Sequence, residues 1–271
     1  WSSAGRRPIR PAMDSSAPEA CAAAAAGDDA ARRRRLLAGA AVFGLALVLA
    51  GAWWLGTQRQ LPAQWQAGAD RRINLVETDH ASLDAQRFKA LTSLGRPGDQ
   101  AATPTDTLVL HRSPRWLVDD ATRTRHMDLH RHVATVLEAP QARLVFEDGV
   151  TLELAPVARG PSGLGAAFWV LSALAVALYL AAVAVLLVRR TGRDALFALM
   201  SLCQAGNLAL IAAESAFSLG LPSWLLEHEF TARAAFDLAT AAAAVHAASL
   251  YPRSRAAAAR RLAWVAWILS A

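Results

Sequence analysis

Four consecutive arginines, Arg32, Arg33, Arg34 and Arg35, stand immediately before residues 36–55, a run of 20 without a charge. At about 1.5 Å of rise per residue that run reaches about 30 Å, the hydrocarbon thickness of a bilayer. One membrane-crossing helix is the expectation. Export signals also open with basic residues, but their apolar region is normally about 7–15 residues. This one is longer and ends in Trp53 and Trp54, aromatics suited to the membrane interface, which favours an uncleaved anchor.

Further apolar runs follow. Residues 166–188 carry no charge; residues 195–219 are interrupted only by Gln204, Asn207 and Glu214; residues 231–250 carry Arg233, Asp237 and His246; a fifth run opens at Leu262. The expected fold is an α-helical membrane bundle of four complete spans plus the start of a fifth. An extracytoplasmic α+β domain of about 110 residues, 56–165, is inserted after the first span. Arginines set the orientation, because basic flanks resist translocation. Arg32–Arg35, then Arg189, Arg190 and Arg193, then Arg253, Arg255, Arg260 and Arg261 occupy alternate flanks of the spans, and all belong in the cytoplasm. Residues 220–230, with two acids and no Lys or Arg, belong outside. Residues 1–31 read as a disordered cytoplasmic tail, of which 1–12 lie upstream of a plausible start at Met13. Residues 262–271 read as a truncated helix, so the chain is expected to be a fragment.

The formal charge of +6 could suggest nucleic acid, but its distribution excludes that class. Residues 56–165 hold 13 basic and 13 acidic side chains, so the excess lies at membrane flanks and the implied partner is the lipid bilayer. Cys21 and Cys203 lie in unrelated surroundings, without metal-ligand spacing or a disulfide framework.

Within the inserted domain, residues 57–89 are weakly patterned, with a strand expected only around Ile73. Turn chemistry occupies residues 95–106, a short strand is read at 107–111, and apolar spacing predicts a helix over 128–138. Residues 143–147 and 150–155 alternate about Asp148–Gly149, a hairpin signal. His126 and His130 are four apart, a spacing used by zinc and copper sites, with Asp128 as an outer acid. No third ligand sits at a compelling spacing and Arg123, Arg125 and Arg131 surround the pair, so a solvated, mildly basic helix face is the expectation. A pH response of the pair is the alternative.

Charges inside a bilayer cost about 2.5–3.5 kcal/mol near a helix centre and require partners or a cavity. Gln204, Asn207 and Glu214 fall on one stripe at 100° per residue, Arg233 and Asp237 share a helix face, and His246 lies opposite Asp237. These six are the candidate ligand-binding or helix-pairing residues, with a Glu214–Arg233 pair as the simplest arrangement. An external peptidase or hydrolase is a disfavoured reading, since it needs a nucleophile with its base. Ser93 and Ser113 lack a glycine elbow, and His111, Asp119 and Asp120 form no triad pattern.

Leu91, Leu94, Pro97, Gly98 and Asp99, followed by a helix and a hairpin, resemble the PDZ-like modules found outside the membrane in some bacterial sensors. The tail, single span, external domain and further spans, with His246 and Tyr251–Pro252 before an arginine-rich turn, resemble the N-terminal sensory half of bacterial membrane-bound sensor histidine kinases. The resemblance is one of layout over residues 32–271. It implies the bacterial inner membrane, a homodimer, and a response regulator engaged through a kinase domain beyond Ala271. ATP and Mg²⁺ would belong to that domain alone, since these residues carry no phosphoacceptor motif, no ATP-binding box and no cofactor site. Phe168–Trp169 and Trp53–Trp54 are expected to set the depth of the spans bracketing the sensor. The alternative is a small multi-span transporter subunit or membrane assembly factor, with Glu214, Arg233 and Asp237 lining a pathway.

Overall fold

The structure, a computed structural model, describes residues 16–99, 103–188, 191–250, 261 and 263–268. Helix α1 (Ser16–Thr57) leads into the inserted domain, which hands the chain to α4 (Ala166–Val188), α5 (Gly192–Ser215) and α6 (Ser223–Ser249). Among the described residues three helices are long and apolar enough to cross a membrane: the Asp29–Thr57 part of α1, α4, and α5. The expected fourth span is corrected. Its helix forms, but starts at Ser223 instead of Thr231 and so gathers Glu227 and Glu229 in addition to Arg233 and Asp237. Even the stretch beyond those glutamates, with Arg233, Asp237, His246 and mostly alanine between them, is not apolar enough to join the set.

Two further expectations change. Residues 16–31, read as disordered tail, continue α1; they are rich in alanine, the best helix former, and extend a helix already nucleated by the apolar run. The third span ends at Ser215 instead of Leu219, with Ala216 as its C-cap. Residues 1–12 lie outside the described residues, as do Leu262 and 269–271 of the truncated helix; residues 263–268 are helical.

The bundle packs in chain order, α1 on α4, α4 on α5, α5 on α6. Small residues permit the approach. A Cβ on Gly206 of α5 would lie 2.6 Å from the Phe236 ring of α6, and one on Gly44 of α1 would lie 3.2 Å from the Tyr179 ring of α4.

The inserted domain is α+β. Strands β2 (Ala63–Ala67), β3 (Ile73–Thr78), β4 (Ala90–Gly95), β6 (Ala142–Phe146) and β7 (Thr151–Leu154) form an antiparallel sheet in the order β2-β3-β4-β6-β7, with β5 (Thr103–Pro104) pairing to β4. Hairpin β6–β7 turns at Asp148–Gly149, where Gly149 takes φ +80°. Alternation buries Ala142, Leu144 and Phe146 beside Ile73 and Leu75. Against this face lies α3 (Asp120–Glu138), contributing Val133 and Val136; each fully buried Leu, Ile, Val or Phe is worth about 1.5–3 kcal/mol. The helix begins eight residues before the predicted start because the Asp119 carboxylate accepts from the Ala121 and Thr122 amides as an N-cap. Residues 107–110, expected as a strand, form a 3-10 turn capped by Asp106, which accepts from the Leu108 amide. A four-residue helix, α2 (Ala81–Asp84), follows β3.

At the neck, β1 (Arg59–Gln60) pairs antiparallel with β8 (Val157–Ala158). The chain thus leaves α1 and returns to α4 through one two-stranded ribbon. Gly160 donates to the Gly56 carbonyl at 2.9 Å, and a Cβ on Gly56 would lie 2.7 Å from the Pro161 nitrogen.

Candidate functional site: the joint between domain and bundle

The connection between α5 and α6, residues 216–222, runs into the inserted domain instead of turning over the bundle. Leu219 is buried in the domain's own core, while Phe217 and Leu221 belong to the apolar cluster at the bundle's end, against which Met127 of α3 packs. Polar contacts fix the seam. Ser218 Oγ donates to the Ala63 carbonyl at 3.3 Å, the Gly220 amide to the Val109 carbonyl at 3.4 Å, and the Leu221 amide to His130 Nδ1 at 2.9 Å. Gly220 has φ +70°, and a Cβ there would come within 2.5 Å of Val133 Cγ1, so both the backbone conformation and the fit to α3 require glycine.

His126 and His130 are not on a solvated face. Both are fully buried, with ring centroids 4.1 Å apart, because α3 turns that side toward residues 108–111 and the α5–α6 connection. His126 Nε2 meets the His111 carbonyl at 2.9 Å and His130 Nε2 the Leu108 carbonyl at 3.4 Å, which makes each Nε2 the N–H donor. His130 Nδ1 is thereby left unprotonated to accept from Leu221. Burial, reinforced by the neighbouring His126, pushes the His130 imidazole down to about 3; burial lowers His126 as well, opposed by its bond to His111. The pair therefore stays neutral at physiological pH. Asp128 lies outside this contact, on Arg131. Among the described residues no group of three His, Cys, Asp or Glu side chains is placed to hold a metal.

Beside this seam runs a polar network. Arg233 of α6 pairs with Glu214 of α5, and its Nε stands 2.8 Å from Glu229 Oε1 one turn back, an ion pair without hydrogen-bond alignment. All three side chains are at most 5% exposed. Two carboxylates thus face one guanidinium, and the domain supplies a further donor: Ser113 Oγ gives a hydrogen bond of 3.0 Å to Glu229 Oε1. A second chain runs deeper. Asn207 Nδ2 donates to Asp237 Oδ1 at 2.8 Å, and Arg115 of the domain pairs with Asp237 Oδ2. Gln204 Nε2 donates to Thr240 Oγ1 at 3.3 Å.

Of the six membrane candidates, the structure brings Gln204, Asn207, Glu214, Arg233 and Asp237 onto the α5–α6 seam. His246 stands apart and accepts from Trp267 Nε1 at 3.2 Å. Sequence reasoning missed Ser113, Arg115 and Glu229. The Glu229–Arg233 spacing of four was a readable signal once residues 220–230 were allowed to be helical; nothing local connects Arg115 to Asp237, 122 residues away.

A cavity of about 160 Å³ at the seam is lined by Arg59, Leu137, Glu138, Phe217, Gly220 and Leu221, among others. The arrangement ties the inserted domain to the α5–α6 hairpin through both apolar and polar contacts. Comparison with protein-family models, with curated proteins and with solved structures finds no match for this chain.

Proposed function

We propose that this chain is the signal-receiving and relay portion of a bacterial membrane receptor, the sensory half of a sensor histidine kinase. In this reading α1, α4 and α5 span the inner membrane, and residues 56–165 lie outside the cytoplasm, with Arg32–Arg35, ahead of the apolar run of α1, and Arg193, after α4, on the inside. The observation that carries it is the direct hold of the inserted domain on the α5–α6 hairpin. Ser113 and Arg115 reach Glu229 and Asp237, and His130 grips the connection through Leu221. A domain serving only as a cap would not satisfy charges on a bundle helix, whereas a receiver must be coupled to the helices it moves. Packed elements with two discrete arrangements convert such coupling into a switch.

The experiment is a chimera with residues 16–268 fused to a heterologous histidine-kinase core in inverted vesicles. Arg115→Ala and Ser113→Ala should shift autophosphorylation away from the parent level in the same direction. Unchanged phosphorylation in both, with intact expression and insertion, sinks the relay. A phosphatase reporter fused near Ala102 tests the orientation; cytosolic behaviour would remove the receiving surface.

A further inference from the structure

We infer that residues 114–118 form a wedge seated in the headgroup–acyl boundary of the bilayer, with the Trp116 and Val118 side chains taking lipid as their partner. This goes beyond the receptor reading and needs only that the three apolar helices lie in a membrane.

The level of the loop comes from its anchors. Asn207 of α5 hydrogen-bonds Asp237 of α6, and Arg115 pairs with the other oxygen of the same carboxylate. Asn207 is eight residues before the end of α5, about 12 Å of helix rise. A 24-residue helix is about 36 Å long; centred on a hydrocarbon core of about 30 Å, it places Asn207, and with it the Arg115 guanidinium, below the hydrocarbon surface. The length of the arginine side chain separates the loop backbone from that carboxylate, and the contact of Ser113 with Glu229 sets the backbone on the outer side, near the boundary. Ser113 holds the preceding residue to Glu229, two turns higher on α6.

At that level the loop presents apolar side chains outward. Trp116 is 78% and Val118 95% exposed, while Leu117 is buried beneath them. In water these two would be an uncompensated apolar tip; at the interface tryptophan is the favoured residue. Exposed charges on both sides, Arg112 before the tip and Asp119 and Asp120 after it, limit its depth to the headgroup region. The same loop explains how α6 keeps Asp237 near lipid: the domain's arginine neutralises it from the side.

The test uses the full chain with Cys21→Ala and Cys203→Ala, in phosphatidylcholine–phosphatidylglycerol nanodiscs. A nitroxide is attached at Val118→Cys, at Val42→Cys on the exposed side of α1, or at Ala69→Cys on the exposed β2–β3 turn. Power saturation compares collision with oxygen, which concentrates in lipid, and with a water-soluble nickel chelate. The oxygen-to-nickel ratio at residue 118 should exceed that at residue 69 severalfold and approach that at residue 42; Arg115→Ala should move it toward residue 69. A ratio at 118 equal to that at 69 places the loop in water and overturns the wedge. Shielding from both reagents means protein, such as a second copy, covers it, and overturns the wedge equally. A nickel-favoured label at Val42 would remove the bilayer from the bundle and the wedge with it. The receptor reading has its own readout in kinase output, so the two fail separately.

Discussion

Acidification should loosen the joint at His130, by an amount that follows from its environment. The neutral imidazole donates through Nε2 to Leu108 and accepts through Nδ1 from Leu221; a second proton sets N–H against N–H and charges a fully buried ring. His130 titrates at about 3 in the folded protein against 6.5 for a free histidine. A histidine whose folded value is depressed binds fewer protons folded than unfolded, so its stabilising contribution is complete above pH 6.5 and falls as pH drops toward 3. One such group loses about 2 kcal/mol between pH 7 and pH 5, and about 4 kcal/mol by pH 3. The assay is urea unfolding of the domain in nanodiscs, followed by tryptophan fluorescence at both pH values, in the parent and in His130→Asn. Asparagine offers an oxygen near the Nδ1 position to accept from Leu221 but does not titrate. The variant should lose about 2 kcal/mol less than the parent between pH 7 and pH 5. Equal losses would show that His130 is not the titrating group and refute the reasoning.

Other outcomes follow from the same seam. Gly220→Ala should destabilise the docked domain by about 2–4 kcal/mol, combining left-handed backbone cost with overpacking; Val133→Ala should recover only the packing part in a double-mutant cycle on urea midpoints. Arg233→Met should cost about 3–5 kcal/mol by stranding Glu214 and Glu229, seen as a lower thermal midpoint in detergent, with Glu214→Leu added restoring part of it. Gly206→Leu should force α5 from α6 through the Phe236 ring and lower the same midpoint. Replacing Trp54, whose ring lies 4.4 Å from that of Trp224, together with Trp53, Phe168 and Trp169, should uncouple signal from kinase output in the chimera; unchanged signalling would count against their anchoring role.

What the sequence disclosed and what it hid divide along locality. The apolar runs, the Asp148–Gly149 hairpin and the Glu214–Arg233 complementarity depend on neighbours in sequence or on helix periodicity, and were legible. Strands β2 and β4 were not, because the burial of Trp65, Leu91 and Leu94 is set by sheet partners distant in the chain. The His126–His130 pair looked solvated because its basic neighbours in sequence, Arg123, Arg125 and Arg131, occupy other sides of α3 and are engaged by Asp120, Asp106 and Asp128. Treating 220–230 as an external loop concealed Glu229. Its acids resembled loop residues until Arg233 and Ser113 supplied partners.

The ribbon formed by β1 and β8 brings the two ends of the inserted unit side by side, which makes that unit a cassette in the geometric sense. Excision at Arg59 and Ala158 with a short splice would leave α1 and α4 in register. It would not be a clean excision, since Glu229 would lose Ser113 and keep Arg233, and Asp237 would lose Arg115 and keep Asn207. Any module grafted in its place would have to bring a hydroxyl and a cation of its own to the flank of α6.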